Sequence, residues 1–126
     1  MFLRFAVHAR HETSQRGQGL FTTLYELEKK GRLAEYEAAW FSEQEQWFNK
    51  HLKRPEPLKS PLAILWFKST AIEHITRMRA LAALVEHKDT AVQVIQTERP
   101  GYVVYEDEHQ VAAIPFGQET LPSKLQ

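Results

Sequence analysis

Apolar positions change their period along this chain, and the changes divide it into eight elements. Phe2-Leu3-Arg4-Phe5-Ala6-Val7 is apolar and aromatic with one charge inside it, the pattern of a strand whose side chains alternate between two faces. After a polar stretch, Leu20, Leu24 and Leu27 recur at helical spacing among Glu26, Glu28, Lys29 and Lys30, and Gly31 offers a left-handed cap. Leu33, Tyr36, Trp40, Phe41, Trp47, Phe48 and Leu52 then draw a wide apolar stripe along a longer helix, with Glu35, Glu37, Glu43, Glu45 and Lys50 elsewhere on it. The two helices are expected to form a hairpin. Pro55, Pro57 and Pro61 prevent any continuation and make residues 53–61 a stiff, basic linker.

Ile64-Leu65-Trp66-Phe67 is too short for its period to decide, since Ser60-Pro61 could equally open a helix; a short buried strand is the expectation. Thr70-Ala71-Ile72-Glu73 spells a capping box, so a third helix should run from near Ala71 to His87-Lys88. Its apolar face is Ile75, Met78, Ala82 and Val85, with Leu81 and Leu84 beside them. In the last third Val92, Val94 and Ile95, then Val103, Val104 and Tyr105, then Val111 and Ile114 read as a β-meander. Pro100-Gly101 suits a type II turn between its first two strands, and Glu106-Asp107-Glu108 an acidic bend before the last. The order β-α-α-β-α-β-β-β predicts an α+β fold with a mainly antiparallel sheet of four to five strands and three helices on one face. Residues 1–116 are read as a single domain and 117–126 as a loose tail.

Charge changes this picture little in total and more in detail. With 16 basic and 16 acidic side chains the net charge is zero, which removes the electrostatic reason to expect nucleic acid or an anionic membrane. Locally, residues 50–59 carry Lys50, Lys53, Arg54 and Lys59 against Glu56, whereas residues 98–119 carry five acids against Arg99. The absence of cysteine excludes disulfides, thiolate nucleophiles and thiolate metal sites. Arg4 and His8 interrupt the N-terminal apolar run too early for a signal peptide, and the run from Pro61 to Phe67 is far short of a bilayer span. A cytoplasmic protein without a membrane segment is the expectation.

Candidate chemistry is sparse. His8, His11 and Glu12 are of metal-ligating types, yet they leave a strand for a loop, where solvated histidines are expected and no metal is assigned. Trp40, Phe41, Trp47, Phe48, Trp66 and Phe67 could stack bases, but aromatic residues opposite a glutamate-rich face are accounted for by burial, so nucleic acid is set aside as a partner. No serine sits in a nucleophile elbow, and Arg16-Gly17-Gln18-Gly19 lacks the lysine and third glycine of phosphate-binding loops.

One spread-out set is more suggestive. Arg4 in the first strand, Ser69 and Thr70 after Leu65-Trp66-Phe67-Lys68, and Glu106-Asp107-Glu108 before the closing strand together resemble the arginine, serine/threonine and Glu-x-Glu pattern of the ADP-ribosyltransferase family. That resemblance implies a nicotinamide dinucleotide (NAD) cofactor. Arg4 would grip its phosphates, Ser69 would order the site, and Glu106 and Glu108 would form the acidic pair, with Glu108 stabilising the ribosyl cation. Over nearly its full length the chain is also similar to a family of small uncharacterised bacterial proteins. The residues that carry this likeness are Phe2-Leu3-Arg4-Phe5, Gly19-Leu20-Phe21, Trp47-Phe48 with His51-Leu52, Trp66-Phe67-Lys68, and Pro100-Gly101 running into Tyr105-Glu106-Asp107-Glu108 and Gln110-Val111. It implies a self-contained bacterial protein and brings no activity with it.

Without a complete catalytic set or cofactor motif, the first functional expectation is a non-enzymatic binding or regulatory module with no cofactor, acting through a protein partner or a homo-oligomer. Segregated charge supports it, because patches of opposite sign orient association. The alternative is the NAD-dependent transferase built on Arg4, Ser69, Glu106 and Glu108.

Overall fold

The computed structural model describes residues 1–7, 18–55 and 62–117. Eight elements follow one another in the expected order: β1 (Phe2–Ala6), α1 (Leu20–Lys29), α2 (Glu35–His51), β2 (Ile64–Lys68), α3 (Ile72–His87), β3 (Gln93–Thr97), β4 (Tyr102–Glu106) and β5 (Gln110–Ile114). Gly31, at φ 71°, caps α1 as its position demands, and the Arg32 N–H closes the turn on the Leu27 carbonyl at 2.9 Å. Glu37 reaches back from the first turn of α2 to the Ala34 N–H at 2.8 Å. The same carboxylate accepts Lys88 Nζ at 2.8 Å, tying the start of α2 to the end of α3. The hydrogen bond from Lys88, then that from Ala34, hold the Glu37 carboxyl below its usual pKa against the opposing effect of burial.

The capping box expected at Thr70 does not form. Helix α3 starts at Ile72 with Ala71 in the cap position and no side-chain cap. The Ala71 N–H bonds the Lys68 carbonyl and the Ile72 N–H the Thr70 carbonyl, both at 2.9 Å, so this backbone turn places Thr70 one residue too early to cap. Glu73 pairs forward instead, with Arg77 at 2.9 Å.

All five strands form one antiparallel sheet in the order β3-β1-β2-β5-β4. The expected meander is therefore corrected: β4 and β5 are a hairpin, but β3 pairs with β1 at the opposite edge. A Pro-Gly turn is a local signal, and β1 outcompetes β4 as the partner of β3 through a five-residue register from Phe2↔Thr97 to Ala6↔Gln93. The short link from Thr97 to Tyr102 must then pass from one edge to the other. Five Cα steps reach at most about 18 Å, whereas four strand spacings on a flat sheet come to roughly 19 Å before any run along the strands. The sheet is consequently curled until its edges approach. Gly101 sits in the crossing at φ 134°, and a Cβ there would lie 2.1 Å from the Ile114 carbonyl oxygen.

The three helices cover one face of this sheet, where Leu20, Leu24, Phe41, Phe48, Met78, Leu81 and Val85 pack with Phe5 and Val7. On the face that no described helix covers, Trp66, Val111 and Ala113 form a second cluster with Phe2, Ile64 and Ile95. Strand alternation sends Phe67 to the helices and Trp66 to the other side. Of the aromatic residues of α2, Phe41 and Phe48 are buried core, Trp40 and Trp47 pack half-buried against it, and Tyr36 is 76% exposed in the first turn. No described helix is long and apolar enough to cross a membrane.

Candidate functional site

Where the C-terminal end of α2 meets the β4–β5 hairpin, polar side chains are organised as nowhere else among the described residues. Asp107 builds the hairpin. One carboxylate oxygen accepts the His109 and Gln110 N–H groups at 2.9 and 3.1 Å, and the other accepts the Tyr105 hydroxyl at 2.8 Å and Gln110 Nε2 at 3.0 Å. Burial acts to raise the Asp107 pKa, but these four hydrogen bonds outweigh it and hold the carboxyl below its usual range. Gln110 is itself buried, and its second amide hydrogen goes to the Lys53 carbonyl. Both Nε2 hydrogens are thus committed, and the chain leaving α2 is pinned to the sheet.

Beneath this junction lies a stack of rings. His51 stacks on Trp47 at 4.4 Å, the Arg77 guanidinium lies 4.3 Å from the same indole, and Arg77 also donates to Gln44 at 2.9 Å. His74, 4% exposed on the inner face of α3, sits 4.8 Å from Trp47 and 4.4 Å from His109. Its Nε2–H donates to the His51 carbonyl at 2.9 Å, which fixes the tautomer. Burial is the largest influence on His74 and, helped by the positive charge His109 and His51 can carry, lowers its pKa despite that carbonyl. A neutral imidazole therefore joins α2, α3 and β5.

Two clefts open on either side of the exit from α2. The larger, about 610 Å³, has an apolar lining from Phe21 and Tyr25 of α1, Phe48 of α2, Leu52 just after it and Leu65 of β2. Leu65 is 42% exposed, whereas its cross-strand partner Ala112 on the same face is fully buried. Lys53 and Arg54 stand at one end with no ion-pair partner among the described residues, and Glu45, two helical turns back along α2, stands toward the other. The smaller cleft, about 470 Å³, is lined by Lys50, His51 and Lys53 on one side and Asp107, Glu108 and His109 on the other. Part of the basic segment and part of the acidic segment thus face each other within one chain, which leaves Arg54 as the cation directed solely to the larger cleft.

The residues of the transferase pattern are distributed as follows. Arg4 lies on the face turned away from the helices, 5.2 Å from the centre of the Trp66 ring. Glu106 pairs with Lys68 at 2.6 Å, and Ser69, exposed, follows Lys68 directly and donates its N–H to the Met1 carbonyl at 3.0 Å. Arg4, Ser69 and Glu106 thus belong to the same end of the curled sheet, which the register Phe2↔Lys68 defines. Glu108 points elsewhere: it contacts His109 at 3.6 Å and lines the smaller cleft, whose lining includes none of the other three. His8, His11 and Glu12, the linker from Glu56 to Pro61 and residues 118–126 lie outside the described residues. Among the described residues no group of three or more His, Asp or Glu is placed to hold a metal ion.

His74, Arg77, Gln44 and Tyr25 are absent from the sequence reading, and Gln110 enters it only as part of a family likeness, without a role. His74 was accessible, since it continues the apolar face of α3 by four residues from Met78. Gln110 carries no local signal beyond a polar residue at an inward strand position. Compared with known protein families, with functionally described proteins and with solved structures, the chain gives no match.

Proposed function

We propose that the chain is a non-enzymatic binding module that grips a short segment of a protein partner in the larger cleft. The observation that carries this reading is the lining of that cleft: a largely apolar trough between α1, α2 and the sheet, ended by Lys53 and Arg54, which pair with no carboxylate among the described residues. Such a trough takes an extended segment by burying an apolar side chain on Phe48 and Leu65, while Lys53 and Arg54 meet a neighbouring carboxylate. Glu45 at the far end disfavours a segment with acids along its whole length. Pinning of Lys53 by Gln110 presets the cationic end, which lowers the ordering cost of binding.

The test is selection from a random peptide library against the immobilised protein. The reading expects enriched peptides that place a carboxylate next to apolar or aromatic residues. Leu65→Glu, which puts a charge on an already exposed floor position, should weaken their binding by about tenfold or more, the change that 1.4 kcal/mol brings. Reversing the cations with Lys53→Glu and Arg54→Glu should do the same and should be restored by a peptide whose acid is replaced by lysine. Selected peptides that bind all variants alike would place the site elsewhere, and a library with no enrichment would remove the binding reading.

A further inference from the structure

The two edges of the sheet are built differently. Strand β4 carries the devices that discourage edge pairing: a register shift between Val103 and Tyr105, a charged residue at its end in Glu106, and Pro100-Gly101 just before it. Strand β3 has none of them. Gln93-Val94-Ile95-Gln96-Thr97 contains no charge, no proline and no bulge, and its five residues hold an unbroken register with β1. Its outward backbone groups have no hydrogen-bond partner among the described residues. Val94 is 38% exposed, and Gln93 and Gln96 are exposed as well. A neutral edge of unbroken register, unpaired on its outer side among the described residues, is a template for another strand.

We propose that β3 pairs antiparallel with β3 of a second copy, joining two sheets into one. A second copy is the occupant that the strand accommodates symmetrically, because set against its own reversal it brings no charge to any pair and a β-branched residue to the axis. Centred on Ile95, the pairing sets Ile95 against Ile95, Val94 against Gln96 and Gln93 against Thr97. Each pair falls on one face, no like charges meet, and the β-branched pair lies at the two-fold axis. Zero net charge removes long-range repulsion between copies. The surface is distinct from the cleft, so this inference stands or falls independently of the peptide-binding reading.

Light scattering on the eluting peak of a sizing column tests it. The wild type should give twice the 14.7 kDa chain mass when concentrated and shift toward the single mass on dilution. Val94→Lys with Gln96→Lys places like charges opposite each other across the axis and should yield the single-chain mass, with far-UV circular dichroism unchanged. Val94→Lys with Gln96→Glu sets each introduced cation against an introduced carboxylate and should restore the double mass. Hydrogen exchange on the wild type gives a variant-free check: β3 amides should become more protected as concentration rises. A single-chain mass at every accessible concentration, a doubled mass in the lysine–lysine variant, or β3 protection independent of concentration would overturn the proposal.

Discussion

Asp89 is held at φ 66°, the left-handed region that glycine enters without strain, at the position where α3 gives way to the chain leading into β3. Its N–H still closes the helix on the Glu86 carbonyl at 3.0 Å, so the geometry is required by the cap while the side chain is not. Asp89→Gly should accordingly stabilise the fold by about 0.5–1 kcal/mol in urea unfolding; a loss of stability would show that the carboxylate has an unrecognised role. Asp107 is the opposite case, a side chain whose every acceptor position is used. Asp107→Asn keeps the size but turns an amide donor toward Gln110 Nε2 or the backbone donors, and should cost about 1–2 kcal/mol in the same measurement. At this scale Gly31 was legible because glycine after a helical run has one common meaning, whereas Asp89 and Asp107 look like any surface acid. Thr70 was misread because a capping box is defined by spacing alone, and the backbone turn after β2 moved the helix start beyond it.

Among elements, the junction of α2, α3 and β5 is the best ordered, and His74 is its pivot. Its folded-state pKa lies below the ordinary 6.5, so the unfolded chain takes up the proton first. Stability should therefore be level above about pH 6.5 and decline as pH falls below it, through the folded-state pKa. Chemical denaturation followed between pH 7.5 and pH 5 should show this decline in the wild type and its loss in His74→Gln, which keeps a donor for the His51 carbonyl. Glu37 and Asp107, with pKa values below 4.5 and 3.8, contribute their losses only under more acidic conditions, so the windows separate. Helix positions and lengths were readable here because the 3.6-residue period of α1, α2 and α3 is sustained over several turns. Strand identity was readable too, while strand pairing was not. Which strand lies beside β3 depends on packing against β1, with α1, α2, β2 and α3 between them in the chain, and Pro100-Gly101 is an equally good signal for a hairpin or a kink.

For the whole molecule, the consequence of that pairing is a sheet curled until a short crossing can join its two edges, and Gly101 is the residue that permits it. Gly101→Ala should destabilise the fold by on the order of 3 kcal/mol, since the added methyl meets backbone that cannot move aside. Gly19→Ala, with nothing within 4 Å of its added methyl and only the N-cap preference for glycine over alanine against it, is the matched control and should cost about 1 kcal/mol or less. The apolar residues fall into two clusters on the two faces of the sheet, and Leu65, half-exposed on the helix side of β2, forms part of the larger cleft. None of this was legible from periodicity, because a half-exposed leucine in a strand and a cation in a linker acquire meaning only when the fold sets them side by side. The most direct measurement is a titration of the isotopically labelled protein with a library-selected peptide, following every backbone amide by heteronuclear NMR. Shifts should concentrate at Phe21, Tyr25, Phe48, Leu52, Lys53, Leu65 and Gln110, with β3 and the Arg4–Trp66 face unmoved. Shifts centred on Arg4, Ser69 and Glu106, or scattered without relation to the cleft, would contradict the peptide-binding reading.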